Sequence, residues 1–331
     1  MKKCFFTFFA VFFFLFDFFA LDSQKLAVKF TQKFELMNGQ INEYVFEREC
    51  LNTNNKLSEL DWDIKNIPVF SAKADFDIIR FIHADIYGAI GIPKTSGNLQ
   101  DFDWLNSVGG AGGSHPEWKI EDPTELTNYS KHDNYLNQFI DFSLCIGGNI
   151  YLPAKIKITP FLQYQYNFIS FTGTDGYKTY KEDSGIKYDC SGKVISYKQE
   201  INAMLVGFKS EINTVPHLRI YADFAFSPAM TFLNALDYHY INKKCYWDNF
   251  MNIWQIKSSL EVQYKFNQNH SLGLNASLQY IPLSKGLTFN KPLDSEGNVV
   301  SGLWNASDKN DTLSGTKRFL WTIGLSYSFS L

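Results

Sequence analysis

Segments of alternating polarity, an exchange of short turns with long polar loops, and an apolar N-terminal stretch together predict an all-β fold. The fold that fits them is a ten-stranded antiparallel up-and-down transmembrane β-barrel with long extracellular loops. Such a barrel turns apolar side chains towards lipid and polar ones towards its lumen. Aromatic residues make up 17% of the 331 residues, a content that suits strands and a membrane interface.

The N-terminus carries the parts of an export signal. Met1-Lys2-Lys3 precedes a Phe-rich apolar stretch from Cys4 to Phe16, and the small residue Ala20 follows. The stretch is too short to cross a bilayer well as a helix. We therefore expect residues 1–20 to be a signal peptide and residues 21–331 to be one barrel domain, with an uncleaved anchor helix as the alternative.

Three segments show the alternation of a strand most clearly, namely 155–168, 259–266 and 321–329. Every second residue in them is apolar or aromatic, and the residues between are small or polar. The apolar side would face lipid in a barrel and a core in a soluble sandwich. The last segment is expected to pair with the first strand, which leaves no sheet edge open in lipid.

The connections between these segments alternate in length, as an up-and-down barrel requires. Short turns are predicted near residues 75–77, 152–154, 214–217 and 267–270. Long polar loops are predicted at residues 94–133, 173–194, 237–249 and 287–317. The count of strands between them is about ten, an even number, as in bacterial barrels.

Composition excludes several other classes of function. A net charge of −3 argues against a nucleic-acid partner. The sequence has neither a Cys-x-x-Cys nor a His-Glu-x-x-His motif, so no metal and no cofactor are predicted. Cys145 lies in an apolar segment, whereas Cys50, Cys190 and Cys245 lie in polar ones. A disulfide between two of these loop cysteines is a hypothesis suited to an oxidising exterior.

Two short motifs carry the candidate chemistry, Asp101-x-Asp103 and Asp237-x-His239. In an extended chain, residues i and i+2 point to the same side, roughly 6.5–7 Å apart. We expect the first motif at the outer end of the third strand and the second at the outer end of the seventh. Taken alone, an acidic motif in a loop is usually only solvated. Together, the carboxylates and the imidazole form a set that can activate a water molecule.

With these motifs the sequence resembles the omptin family of outer-membrane proteases over most of the mature chain. The shared motifs are Glu43 before an aromatic-rich strand, Ser58-x-Leu60-Asp61-Trp62, Asp101-x-Asp103-Trp104, Ser130-x-His132, Tyr164-Gln165 with Ser170-Phe171, Tyr197-Lys198-Gln199 and Asp237-x-His239-Tyr240. The resemblance implies a ten-stranded barrel whose outer rim forms a proteolytic groove.

The resemblance also implies a role for each motif residue. Asp101 and His239 would flank and activate the attacking water, Asp103 would partner Asp101, and Asp237 would orient His239. Ser130 and His132 would lie near the groove in a supporting role. A Ser–His nucleophilic pair is the alternative, although a spacing of i,i+2 does not by itself give the geometry of serine attack.

Two departures from the family pattern concern the residues that bind the substrate and lipopolysaccharide. The family cleaves peptides and proteins beside basic residues, using two acids at the base of its pocket; Glu43 matches one and Ala235 replaces the other. The resemblance therefore implies basic substrates with a relaxed preference. Phe168 and Glu200 stand where the family has arginines that hold lipopolysaccharide phosphates, so activity that does not depend on this lipid is expected.

The sequence thus predicts an aspartic-type endopeptidase of the outer membrane, in contact with membrane lipid, with its active site facing the exterior. The main rival is a barrel of the same shape without proteolysis, such as an adhesin, a structural protein or a narrow channel. A soluble ligand-binding barrel is the third possibility, and the apolar outer faces argue against it.

Overall fold

The computed structural model describes residues 26–47, 56–104, 126–180, 183, 185–213, 215–306 and 312–331. Within them, fourteen strands form one antiparallel sheet. The strands are β1 (Ala27–Glu47), β2 (Lys56–Ile79), β3 (Ile82–Gly91), β4 (Lys94–Asp103), β5 (Asn128–Gly148), β6 (Ile150–Leu152), β7 (Ile156–Tyr180), β8 (Lys187–Asp189), β9 (Lys193–Ile212), β10 (Leu218–His239), β11 (Lys244–Lys265), β12 (His270–Pro292), β13 (Asn305–Ala306) and β14 (Thr312–Ser330). A 3₁₀ turn at Pro153–Lys155 joins β6 to β7.

The sheet closes into a ring with ten strand positions in the described part of the chain. β3 and β4 both pair with β2 and β5, so they act as one strand interrupted at Ile92 and Pro93. The ring runs β1, β2, β3/β4, β5, β7, β9, β10, β11, β12 and β14. β14 returns to β1, with Ser330 opposite Lys29 and Thr312 opposite Glu47. The predicted barrel and its closure by the last strand are confirmed.

The alternation predicted from sequence separates the two faces of the wall. Leu260, Tyr264 and Leu325 are 50%, 57% and 61% exposed, whereas the polar neighbours Glu261 and Gln263 are buried. The outer wall is therefore apolar and the lumen is polar, as a bilayer demands. Among the described residues, no helix is long and apolar enough to cross a bilayer.

The strands extend beyond the apolar belt at the end that carries the long loops. The exposed large apolar side chains end at Leu36 on β1 and at Phe319 on β14, yet these paired strands continue through the Glu47–Thr312 pair. About ten residues suffice for a tilted strand to cross a bilayer. The outer parts of β1 and β14 therefore form a rim above the membrane.

The membrane-level lumen is crossed by ion pairs. Lys33 lies 2.9 Å from Glu261, and Lys257 lies 3.2 Å from Asp141. These groups border a cavity of about 440 Å³. Pairing offsets part of the cost of placing charges away from bulk water.

Several predicted connections are wrong in detail. Residues 75–77 lie inside β2, and the turn falls at residues 80 and 81 instead. The long loop predicted at residues 237–249 is a tight turn of residues 240–243, because β10 runs to His239 and β11 begins at Lys244. The other three long loops are also shorter than predicted, since β4, β7 and β12 extend to Asp103, Tyr180 and Pro292. Strands in a rim surrounded by water carry polar side chains, so their sequence resembles that of a loop.

The structure describes three of the four cysteines that lie in the predicted barrel domain. Cys145, Cys190 and Cys245 are free thiols, so no disulfide joins them in the structure. Cys245 was predicted in a loop but is a fully buried residue of β11. Cys50 and the predicted signal peptide, residues 1–20, lie outside the described residues.

Candidate functional site

Asp101 and Asp103 lie at the rim end of β4, the third position of the ring. Asp101 is opposite Leu60 on β2 and Ser130 on β5. The Ser58 hydroxyl donates to Asp101 Oδ1 at 3.4 Å. Desolvation inside the barrel mouth, together with the charge of Asp103, raises the pKa of Asp101 well above its usual range. The carboxyl pair is therefore able to hold a proton at a pH where isolated aspartates have lost theirs.

Asp237 and His239 lie at the rim end of β10, the seventh position of the ring. His239 Nε2 donates a hydrogen bond to Asp237 Oδ2, and Asp237 is only 3% exposed. Desolvation opposes the charged imidazole, but the charge and hydrogen bond of Asp237 outweigh it and raise the pKa of His239 to about 8. Asp237 thus fixes the ring and stabilises the imidazolium.

The two pairs face the same space across the mouth of the barrel. The charge of His239 acts on both Asp101 and Asp103, and their charges act in turn on His239. Electrostatic interaction of this kind requires short separation or little intervening water. The strand bounds put the two motifs where they were expected, at the same end of the third and seventh strands of the ring.

Ser130 and His132 project from β5 beside Asp101. The Ser130 hydroxyl lies 2.9 Å from His132 Nε2, and His132 Nδ1 is bonded to the backbone carbonyl of Asp175. Because Nδ1 must donate to that carbonyl, Nε2 accepts from the serine when the ring is neutral. Desolvation lowers the pKa of His132 and so favours the neutral ring. The pair is closer to a nucleophile–base arrangement than its spacing alone indicated.

Glu43, on β1, lies opposite Leu60 and Thr316 and is 4% exposed. Its Oε2 atom is buried without a hydrogen-bond partner among the described residues. Desolvation raises the pKa of Glu43 well above its usual range, and the charges of Asp237 and Asp248 raise it further. Glu43 therefore shares the interior space of the Asp101–Asp103 and Asp237–His239 pairs.

Asp248 belongs to the same space and was not among the residues predicted from sequence. It lies on β11, directly opposite Ala235 on β10 and Thr288 on β12, and it is 4% exposed. Desolvation raises the pKa of Asp248 to about 7 despite a hydrogen bond from Thr288, and the charge of Asp237 adds to the rise. The signal that could have found Asp248 is the register of a tight hairpin, which the prediction of a long loop at 237–249 concealed.

An aromatic stack forms the floor of the site. Trp62 is fully buried between Phe171 and Tyr197, with ring centroids 5.6 Å and 5.5 Å away. Beneath the stack, Arg318 Nη1 donates to Gln199 Oε1 at 3.1 Å. The buried rings lie next to the acidic groups, since the charges of Glu43 and Asp248 act on Tyr197, and apolar surroundings strengthen electrostatic interactions in the site.

One group of metal-type ligands lies deeper in the described lumen. Ligand atoms of Asp75, His83 and Asp85 lie within 4.8 Å of one another. However, the two ring nitrogens of His83 are bonded to Asp77 and Asp85, each at 3.0 Å, and Lys209 also reaches Asp85. An imidazole with both nitrogens occupied has no free lone pair for a metal. We interpret this group as part of the lumen ion-pair network.

The chain was compared with known protein families and with individual proteins. The sequence profile of the Omptin family matches residues 24–329. The chain is 25% identical to a plasminogen activator of Yersinia pestis over 178 residues, or 53% of this chain and 52% of that protein, so the match spans about half of the relative. It is 23% identical to protease 7 of Escherichia coli O157:H7 over 311 residues, covering 88% of this chain and 87% of the relative.

The fold has a solved counterpart. The crystal structure of the outer membrane protease OmpT from Escherichia coli superposes with a TM-score of 0.75 and 20% sequence identity, covering 92% of this chain and 97% of that one. This likeness concerns the barrel itself. The chain therefore belongs to the Omptin family and is a β-barrel protein of the cell outer membrane.

Proposed function

We propose that the protein is an aspartic-type endopeptidase that hydrolyses peptide bonds beside basic residues at the outer rim of the barrel. The observation that carries this proposal is the placement of the Asp101–Asp103 and Asp237–His239 pairs at the same end of the barrel, where their charges act on each other. Three titratable groups with raised pKa values at one mouth, Asp101, Asp103 and His239, are typical of acid–base catalysis. The relative named protease 7 supports the same function.

The mechanism uses a water molecule held between Asp101 and His239. Asp101 accepts the proton of the water, because its raised pKa makes the carboxylate a stronger base than an exposed one. The water oxygen bonds to the peptide carbon, and the positive charge of His239 stabilises the oxyanion that forms. A proton from the same set then passes to the leaving nitrogen as the C–N bond breaks, and Asp103 and Asp237 position their partners.

The substrate is a peptide or protein whose basic side chain enters the space beside Glu43. This carboxyl is buried and its Oε2 has no partner among the described residues. An ammonium or guanidinium group would supply the missing hydrogen bond together with an opposite charge. Neutral side chains of the same size would leave the carboxyl unpaired, which is the physical basis of selectivity.

A serine mechanism is the second candidate, favoured by the 2.9 Å contact between Ser130 and His132. In it, the serine would form a covalent acyl-enzyme. The group that orients His132 is the backbone carbonyl of Asp175, which lacks the negative charge that stabilises an imidazolium in Ser-His-Asp sites. We therefore assign Ser130 and His132 a supporting role. A purely open channel is disfavoured by the ion pairs that cross the lumen.

The test uses the mature chain refolded in detergent and a fluorogenic peptide that contains an Arg-Arg pair. We expect cleavage beside an arginine, located by mass spectrometry, and slower cleavage when citrulline replaces arginine, since citrulline has the same shape without the charge. A fluorophosphonate probe should not label Ser130. Labelling of Ser130 would favour the serine mechanism, and absence of cleavage of any peptide would favour a barrel without proteolysis.

Lipopolysaccharide is expected to have no effect on the cleavage rate. Phe168 and Glu200 lie opposite each other on β7 and β9 and border an outer groove of about 270 Å³ together with Lys198 and Trp247. A groove with one lysine and one glutamate attracts phosphate weakly. We propose that rates with and without added lipopolysaccharide agree, and that the Phe168→Arg/Glu200→Arg variant gains binding of the lipid. Strong activation of the wild-type chain by lipopolysaccharide would contradict this prediction.

A further inference from the structure

We propose that Asp248 is the second acidic residue of the pocket that receives the basic side chain of the substrate. Asp248 would act with Glu43, across the interior of the barrel, and would supply the carboxyl that Ala235 lacks. The inference rests on the proposed function and deepens it, because it assigns a specificity-determining role to a residue that the motifs do not contain.

The register of the β10–β11 hairpin is the first observation. Ala235 and Asp248 are directly opposite each other in this antiparallel pair. Directly opposed residues project to the same face, with Cβ atoms about 4.5–5.5 Å apart. The carboxyl of Asp248 therefore points into the same interior space that an acidic side chain at position 235 would occupy. Ala235 is 1% exposed and has no polar side-chain atom, so Asp248 is the carboxyl of this opposed pair.

The unsatisfied atoms of the pocket are the second observation, and they point to a ligand. Glu43 Oε2 and Asp248 Oδ1 are both buried without a hydrogen-bond partner among the described residues. A buried acceptor without a donor costs about 1–3 kcal/mol. A guanidinium group has five N–H donors and a positive charge, so a single arginine side chain can satisfy both carboxyls.

The charges around the pocket show that this cation is not supplied by the described protein. The charges that act most strongly on Glu43 come from other acids, Asp237, Asp248 and Asp101. For Asp248, the strongest positive charge is His239, which is already bonded to Asp237. The described chain places neither Glu43 nor Asp248 in an ion pair with lysine or arginine.

Arg318 is the internal cation that could compete with a substrate. It is fully buried, and its Nε and Nη2 atoms have no partner in the described structure. Its charge, however, interacts chiefly with Asp141 and Tyr197, and its Nη1 donates to Gln199. Arg318 therefore interacts with groups other than the two pocket acids, and Glu43 and Asp248 can bind a cation from a substrate.

The inference changes the expected selectivity. Ala235 by itself implied a pocket with one acid and a relaxed preference for basic residues. With Asp248 the pocket has two acids, so a strong preference is expected, and arginine should be favoured over lysine because its planar fork reaches two carboxyls at once.

The experiment compares wild type with Asp248→Asn, which keeps the shape of the side chain and removes its charge. Two readouts are used, cleavage of matched arginine and citrulline peptides, and calorimetric binding of N-acetyl-arginine amide against its citrulline analogue. We expect Asp248→Asn to lower the ratio of kcat/KM for the arginine peptide to kcat/KM for the citrulline peptide at least about tenfold, which corresponds to one lost charge-assisted hydrogen bond. The Asp248→Ala/Ala235→Asp double variant moves the carboxyl to the opposite strand and should recover most of the preference.

Equal arginine-over-citrulline ratios in wild type and Asp248→Asn, in cleavage or in binding, would overturn the assignment of Asp248. Failure of the double variant to regain any preference while Asp248→Asn loses it would also overturn the pocket geometry. The binding readout separates this inference from the proposed function. A chain that binds the arginine probe through Asp248 but cleaves no peptide would sustain the pocket and refute the peptidase.

Discussion

His239→Ala and Asp101→Ala are each expected to reduce kcat by about 10²- to 10⁴-fold, the usual contribution of a positioned acid or base. Asp101→Ala removes the group that accepts the proton of the water. His239→Ala removes the positive charge that stabilises the oxyanion and leaves Asp237 as a buried carboxylate without its partner. The measurement is the rate of cleavage of the fluorogenic arginine peptide by refolded protein at saturating substrate.

The double variant and a serine control make this prediction sharper. Residues that act as one unit are strongly non-additive, so Asp101→Ala/His239→Ala should be scarcely slower than either single variant. Ser130→Ala should keep most of the activity, since we assign Ser130 a supporting contact with His132. Circular dichroism and thermal unfolding of each variant establish that the barrel is intact. Full activity in His239→Ala, or complete loss in Ser130→Ala alone, would refute the water mechanism.

Asp237→Asn is expected to move the alkaline limit of activity to lower pH. The pKa of His239 is raised to about 8, so the imidazole keeps its proton below that pH and loses it as the pH rises through about 8. Activity that needs the imidazolium therefore falls through the same range. Asparagine keeps the shape of Asp237 but removes the charge that opposes desolvation, so the pKa of His239 falls and the limit moves with it.

The measurement is kcat against pH for wild type and Asp237→Asn. We expect the ratio of variant to wild-type activity to be lowest between neutral pH and pH 8, where only the wild-type histidine is largely charged. Asp294→Asn, a change in an exposed turn, is the matched control and should leave the profile unchanged. Because Asp101 and His239 interact, the limit belongs to the coupled set of groups. An unshifted profile in Asp237→Asn would contradict the assigned role of Asp237.

Much of the barrel follows from local pattern. The alternation in 259–266 and 321–329 predicted strands with an apolar outer side, and Leu260 and Leu325 are indeed exposed on that side. The turns near 152–154 and 267–270 were also placed correctly, and residues 215–217 of the turn predicted near 214–217 lie between β9 and β10. Alternation has a period of two and depends on immediate neighbours, so it is visible in one sequence.

The errors fall where the environment of the chain changes. Residues 237–249 read as a loop because their side chains are polar, yet they form the end of β10, a tight turn and the start of β11. Above the membrane, the outer side of the wall faces water instead of lipid and no longer requires apolar residues, so polarity ceases to distinguish strand from loop. The same cause hid Asp248 and placed Cys245 in a loop.

The sequence by itself determined the class of fold and the two motifs, because the alternation and the i,i+2 spacing of Asp101 with Asp103 and of Asp237 with His239 are local properties of an extended chain. Only the tertiary structure decided which side chains share one interior. Pairing register is a long-range property: it sets Asp248 opposite Ala235, brings Glu43 from β1 into the same space, and lets the charges of β4 and β10 act on each other across the mouth of the barrel.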